Sequence, residues 1–204
     1  MMRTMKLVIS IAAAAIVAGC HTNTVEKSAF KSALDNYYSG HQVCLWAAPL
    51  KLPAQADTSD QDQTRGFDAL TDAGMLTRTP AEKKRFLVGS KQVNDYDLSA
   101  KGRSVWTADT AQPGFGNFCV GNPKVSSIDT YTAADSSAMQ YNVSYHYSVN
   151  LPDWANTAEI KTAFPRIAND SDSRAATATL ANSNDGWQVQ NVSASFQRPP
   201  ERLP

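Results

Sequence analysis

The chain has 204 residues, 42% of them hydrophobic and 19% charged, with 19 Lys and Arg balanced against 19 Asp and Glu. That length can bury a core in one domain, and the composition excludes a disordered chain, a fibre and a disulfide-dense mini-protein. The charge balance lacks the basic excess of a nucleic-acid binder, so nucleic acid is not an expected partner.

At the start, Arg3 and Lys6 precede a run from Leu7 to Gly19 rich in Leu, Ile, Val and Ala. The run is shorter than the about 20 helical residues that a hydrocarbon core requires, and it suits a secretory leader. It ends in Val17-Ala18-Gly19-Cys20, which resembles the lipobox of bacterial lipoproteins. The resemblance implies a leader over 1–19, acylation of Cys20 on its thiol and its freed amine, and a lipidated tether over 20–24. Two or more acyl chains hold a soluble domain on a bilayer. His21 rather than Asp follows the cysteine. In a Gram-negative cell that implies the periplasmic face of the outer membrane, and otherwise anchoring outside the cell membrane. The alternative is a leader cleaved in the ordinary way, with Cys20 there by chance. Removing the leader takes away Arg3 and Lys6 and no acid, so the remainder has a formal balance of −2.

With Cys20 acylated, Cys44 and Cys119 are left as an even pair in an exported, oxidising compartment, and a bridge between them is expected. It would tie the helical half of the chain to the strand-rich half. Two buried free thiols are the alternative.

In chain order, Val25, Ala29, Phe30, Ala33, Leu34 and Tyr37 form a helical stripe, with Thr24 as N-cap and Gly40 past the end. Gln42 to Ala48 reads as a strand. Pro49 to Gln63, with two prolines and many small polar residues, reads as an exposed loop that could double as a partner-binding arm. Arg65 to Met75 reads as a second helix with Gly74 as C-cap. A basic stretch from Lys83 to Arg85 leads into Phe86-Leu87-Val88, and Tyr96 and Leu98 alternate as in a short strand. The strings FDALTDAGML and YDLSAKG, within 66–102, resemble the helix and wing of winged-helix domains. We read that resemblance as a packing motif, and no DNA-binding residue follows from it.

The second half reads as strands at Phe118 to Val120, Lys124 to Tyr131 and Met139 to Val149. In the last of these, Tyr141, Val143, Tyr145, Tyr147 and Val149 share one face, and Asn142, Ser144, His146 and Ser148 the other. Trp154 to Phe164 reads as a short helix capped by Asp153 and stopped by Pro165. Arg174 to Ala181 and Trp187 to Phe196 read as a hairpin around Asn182 to Gly186. The late hairpin with its DGWQV segment resembles NTF2-like domains of small bacterial lipoproteins. The expected fold is α+β, with N-terminal helices packed on a C-terminal antiparallel sheet and a short inserted helix. A single domain would span 25–197, helix-rich over 25–110 and strand-rich over 111–197, before a loose proline-containing tail at 198–204.

Chemistry leaves few marks. His21, His41 and His146 are scattered, and no metal-ligand spacing links them, so neither a metal nor a cofactor is expected. Asp170 and Asp172 could touch Ca²⁺ but lack the glycine and distal glutamate of an EF-hand loop, and they read as a solvated turn. Ser28-Ala29-Phe30-Lys31 satisfies the SxxK pattern of penicillin-binding proteins, but SDN and KTG are absent. No catalytic residue is assigned. Tyr141, Tyr145, Tyr147, Trp154 and Trp187 are either core or the lining of a groove for a peptide, lipid or glycan. The expected function is a binding module for another envelope protein, held on the bilayer through Cys20. The alternatives are a small envelope hydrolase with an unrecognised site, and an inhibitor or immunity-type lipoprotein directed at a toxin or lytic enzyme.

Overall fold

The computed structural model describes residues 22–84 and 89–193. The leader, Cys20, Phe86-Leu87-Val88 and the tail at 198–204 lie outside the described residues. In chain order the elements begin α1 (Thr22–Ser39), β1 (Val43–Cys44), β2 (Leu50–Lys51), β3 (Ala54–Asp57), α2 (Gln61–Asp72), β4 (Leu76–Lys84), β5 (Ser90–Leu98), α3 (Ala100–Val105) and β6 (Trp106–Ala108). They continue with β7 (Phe115–Gly121), β8 (Pro123–Ala133), β9 (Gln140–Val149), α4 (Ala158–Ala163), α5 (Pro165–Ser171), β10 (Arg174–Ser183) and β11 (Gly186–Ser193). Among the described residues no helix is long and apolar enough to cross a membrane.

Two cores organise these elements. In the first, α1 lies on the antiparallel sheet β11-β10-β9-β8. Phe30, Leu34 and Tyr38, each four residues apart, are fully buried, because that spacing puts them on one face of the helix. They meet Val143, Tyr145 and Tyr147, the alternate residues of β9 that also point inward. Phe30 sits among Tyr131, Tyr141 and Trp187, with ring centroids 4.9–5.4 Å away. The helix also closes the outer edge of β8. Lys27 Nζ donates to the carbonyls of Ile128 and Asp129 at 3.0 Å, and Asp35 Oδ1 accepts the Val125 N–H at 3.1 Å. Edge groups that would otherwise invite another strand are thereby occupied.

The second core gathers Leu45, Leu70, Met75, Tyr96, Phe118, Ile160 and Ile167 from the remaining elements. Its centre is β7, which pairs with β1, β2 and β6, while β3-β5-β4 form a separate sheet. The cores meet where Tyr147 on β9 donates to Asp170 on α5 at 3.2 Å, and where Asn122 Nδ2 donates to the carbonyls of Tyr38 and Ser39 at 2.7 and 3.0 Å.

The α+β class holds, but the fold is sheet-dominated with few helices. Of the N-terminal helices only α1 packs on the C-terminal sheet, which α5 also touches through β9, and 25–110, read as helix-rich, carries β1 to β6. Four of those strands have two to four residues, too short to display a period. Pro49 to Gln63 is not one loop, since it holds β2, β3 and the start of α2. The helix expected over Trp154 to Phe164 is shorter and starts later. Thr157, not Asp153, caps α4, its hydroxyl accepting the Ile160 N–H at 3.3 Å. Pro165 does open a new element, α5, in the first-turn position where proline costs no hydrogen bond. Thr24 lies within α1, which begins at Thr22.

Candidate functional site

Two concavities open on the second core. The first is a cleft of about 320 Å³ floored by β7 and the β1–β2 segment. Cys44 and Cys119 face each other in register on β1 and β7 and are disulfide-bonded, with Cα atoms 3.8 Å apart. The bridge therefore staples neighbouring strands of one small sheet, rather than a helical half to a strand-rich half. Next to it, Asn117 is 7% exposed and replaces a missing strand partner. Its Oδ1 accepts the Trp46 N–H at 3.2 Å and its Nδ2 donates to the Trp46 carbonyl at 2.8 Å. One side chain thus satisfies both backbone groups of Trp46 and fixes the bent segment between β1 and β2.

The Trp46 ring is held from beneath by Phe164, edge-on at 5.2 Å, and lines the cleft while half-buried. Arg166, on α5, donates to the Cys44 carbonyl and brings a guanidinium to the wall. Gly116 completes the floor. A Cβ there would lie 2.5 Å from both the Thr107 carbonyl oxygen and the Trp106 ring, so β6 approaches β7 only because glycine stands at this position. The result is a trough with an aromatic wall, a cation and a rigid floor, suited to holding a partner's side chain.

The second concavity, about 560 Å³, runs between α2 and α4. Thr64, Asp68 and Asp72 face it from α2 and Glu159 from α4. Asp68 Oδ1 accepts the Tyr96 hydroxyl at 2.8 Å and an Arg78 N–H at 2.9 Å. The bond to Asp68 makes the Arg78 guanidinium hold its proton more firmly. Burial, reinforced by Asp68, pushes the Tyr96 hydroxyl above the ordinary tyrosine value.

The five aromatic residues singled out in the sequence do not form one groove. Tyr145 and Tyr147 are buried under α1, Tyr141 and Trp187 pack around Phe30, and Trp154 belongs to the other core, against Phe118 at 5.8 Å. Asp170 is not in a solvated turn but is fully buried on α5 as the acceptor of Tyr147. Among the described residues no group of three His, Cys, Asp or Glu could hold a metal ion.

The Lys31 ammonium is ion-paired with Asp35 at 2.6 Å, which removes it as a base for Ser28. His41 stacks on Tyr37 at the end of α1. His146 Nδ1 meets Asp129 Oδ2 at 2.7 Å on the outer face of the β8–β11 sheet, but the neighbouring Ser127 hydroxyl donates to Asp129 at 2.8 Å. A serine activated for attack would instead be bonded to the histidine, so this grouping is a polar surface cluster.

Sequence reasoning missed Asn117, Arg166, Thr64 and Glu159. Arg166 carried a faint signal, since a residue following Pro165 belongs to a helix start. The others carried none. No family model matches the chain, and neither a curated protein nor a solved structure matches it.

Proposed function

We propose that this chain is a lipid-anchored envelope protein that works by binding another envelope protein, with the cleft at the disulfide as the contact. The observation that carries this reading is the preorganised cleft, where Trp46 is fixed by Asn117 and Phe164 beside the Arg166 guanidinium. A wall already held in place spends little of its contact energy on ordering itself. The lipobox at Val17 to Cys20 supports the anchoring half of the reading. The length of α1 supports the orientation: its 18 residues, starting two residues after Cys20, span about 27 Å before the chain enters the second core. The helix-on-sheet half then acts as a spacer, and the half with the concavities faces away from the bilayer.

A photo-crosslinking residue at Ala47, an exposed rim position, tests the contact in intact cells, with one at Asn184 in the β10–β11 turn as the control. A discrete adduct from Ala47 and none from Asn184, with the adduct protein identified by mass spectrometry, is the expected result. Equal or absent labelling from both positions counts against the cleft. Cys20→Ser tests the anchor separately: the variant should leave the membrane fraction or stall before processing.

A further inference from the structure

We propose that the cleft at the disulfide receives an acidic side chain of the protein partner, an Asp or Glu with an apolar residue beside it. The inference rests on the reading of this cleft as the contact and adds which chemistry of the partner it recognises. Arg166 carries the argument. Its guanidinium is half-buried in the wall and joins no ion pair among the described residues. A cation partly withdrawn from water without a counter-charge is costly, and an arriving anion offsets that cost.

The guanidinium is also held in place. It donates to the Cys44 carbonyl, and Cys44 is fixed in turn by the disulfide and by its pairing with β7. A guanidinium presents five N–H donors in one plane. The bond to Cys44 engages one of its nitrogens and leaves most of the fork for a ligand. A fixed, planar fork meets a carboxylate through two parallel hydrogen bonds. Trp46, Pro49 and Ala108 line the same cleft, giving the neighbouring apolar residue a surface and strengthening the ion pair by lowering the local dielectric.

Other anions fit less well. Asp109 also lines the cleft, but its Oδ1 accepts the Ala111 N–H at 2.8 Å, and it forms no ion pair with Arg166. A doubly charged phosphate would meet about twice the repulsion from Asp109 that a carboxylate meets. A chain-end carboxylate is ordinarily captured by unpaired backbone N–H groups. Here β7 is paired with β1, β2 and β6, and the Trp46 N–H is taken by Asn117. A side-chain carboxylate needs only the fork.

The test is the photo-crosslinking residue at Ala47 in intact cells, with the labelled partner segment mapped by mass spectrometry. Arg166→Gln should lower the adduct roughly tenfold. Arg166→Lys, which keeps the charge and loses the fork, should lower it less. Asp109→Asn should raise it about twofold by removing repulsion. Arg103→Gln, exposed on α3, should leave it unchanged. The mapped segment should contain an Asp or Glu whose amide variant lowers the adduct as Arg166→Gln does. The inference fails while the contact stands if Arg166→Gln labels the same partner like the parent, or if the mapped segment holds no acidic side chain. A phospholipid adduct, or no adduct from the parent, overturns the contact and the inference together. Should Arg166→Gln unfold, Asp109→Asn and the amide variant of the partner's acid, which leave Arg166 in place, decide alone.

Discussion

The half made by α1 and β8–β11 and the half made by β1–β7 with α2–α5 reach a buried core by different routes. In the first, one long helix covers strands of 8 to 11 residues, and every inward position follows from the periods of helix and strand. Stability there is spread over apolar area. In the second, strands as short as two residues cannot hold themselves together, and point closures do the work: a disulfide, the Asn117 amide, and glycines that let backbones touch. Short elements also leave an uneven surface, and both concavities lie in that half. Loss of one closure should therefore loosen the second half more than the first.

The largest expected effect is on the disulfide. Reducing Cys44–Cys119, with its sequence separation of 75, frees the unfolded chain by about 4 kcal/mol as an upper figure in the chain-entropy model. Native-state hydrogen exchange of the reduced protein should show β1 and β7 opening while β9 and β10 stay protected. Equal deprotection of both would mean one cooperative unit and would break the comparison. Phe30→Ala is its counterpart in the first half. The ring is fully buried among three aromatic neighbours, so its loss should cost roughly 3–4 kcal/mol in denaturant melts.

Gly102→Ala comes next. A Cβ there would stand 1.9 Å from the Met75 carbonyl oxygen and 2.9 Å from its carbon, and a backbone cannot swing aside as a side-chain tip can. The expected loss is about 2–3 kcal/mol. Gly40→Ala, where the nearest atom is 3.9 Å away, should be near neutral in the same melts. Asn117→Ala removes two bonds and leaves a part-buried N–H without its partner, which should lower stability by about 1–2 kcal/mol. Its distinguishing readout is the fluorescence of Trp46, whose wall loses its fixed position.

The same contrast explains what could be read from the sequence. The alternation in β9 and the turn before Gly186 are local patterns and appear where those patterns put them. The α1 stripe holds at Phe30 and Leu34 but ends on the fully buried Tyr38, with Tyr37, the inward residue of the sequence stripe, half-buried beside it. The pairing of Cys44 with Cys119 was accessible by counting. Its role was not, because register between β1 and β7 is a tertiary fact. The cleft was illegible for the same reason. Asn117 acts by imitating a strand, which depends on where Trp46 lands in the fold. Asp170 misled because its burial is set by Tyr147, 23 positions earlier, and not by its polar neighbours Asn169 and Ser171.

The smallest effect to be read is a pH dependence, and it separates the halves by their tyrosines. Tyr38 on α1 and Tyr145 on β9 share a buried hydrogen bond. Burial, with the neighbouring Tyr147 and Tyr37, pushes Tyr145 from 10.0 to about 12, although the bond from Tyr38 works against the rise. Burial first, and then its bond to Tyr145, pushes Tyr38 higher still. Both groups bind their protons more tightly folded than unfolded, so unfolding releases protons once the medium exceeds the ordinary tyrosine value. Their contribution is fully present below pH 10 and is lost as pH rises from there through 12. Tyr96, raised by its own burial, adds a similar loss in the second half. Tyr38→Phe should cost about 1 kcal/mol at neutral pH by removing the shared bond. Between pH 8 and pH 11 its melting temperature should fall less than that of the parent, since one buried phenol no longer titrates. The decline that remains belongs to Tyr145, Tyr131 and Tyr96, each raised first by burial. An equal fall in parent and variant would mean that Tyr38 has no part in the alkaline transition.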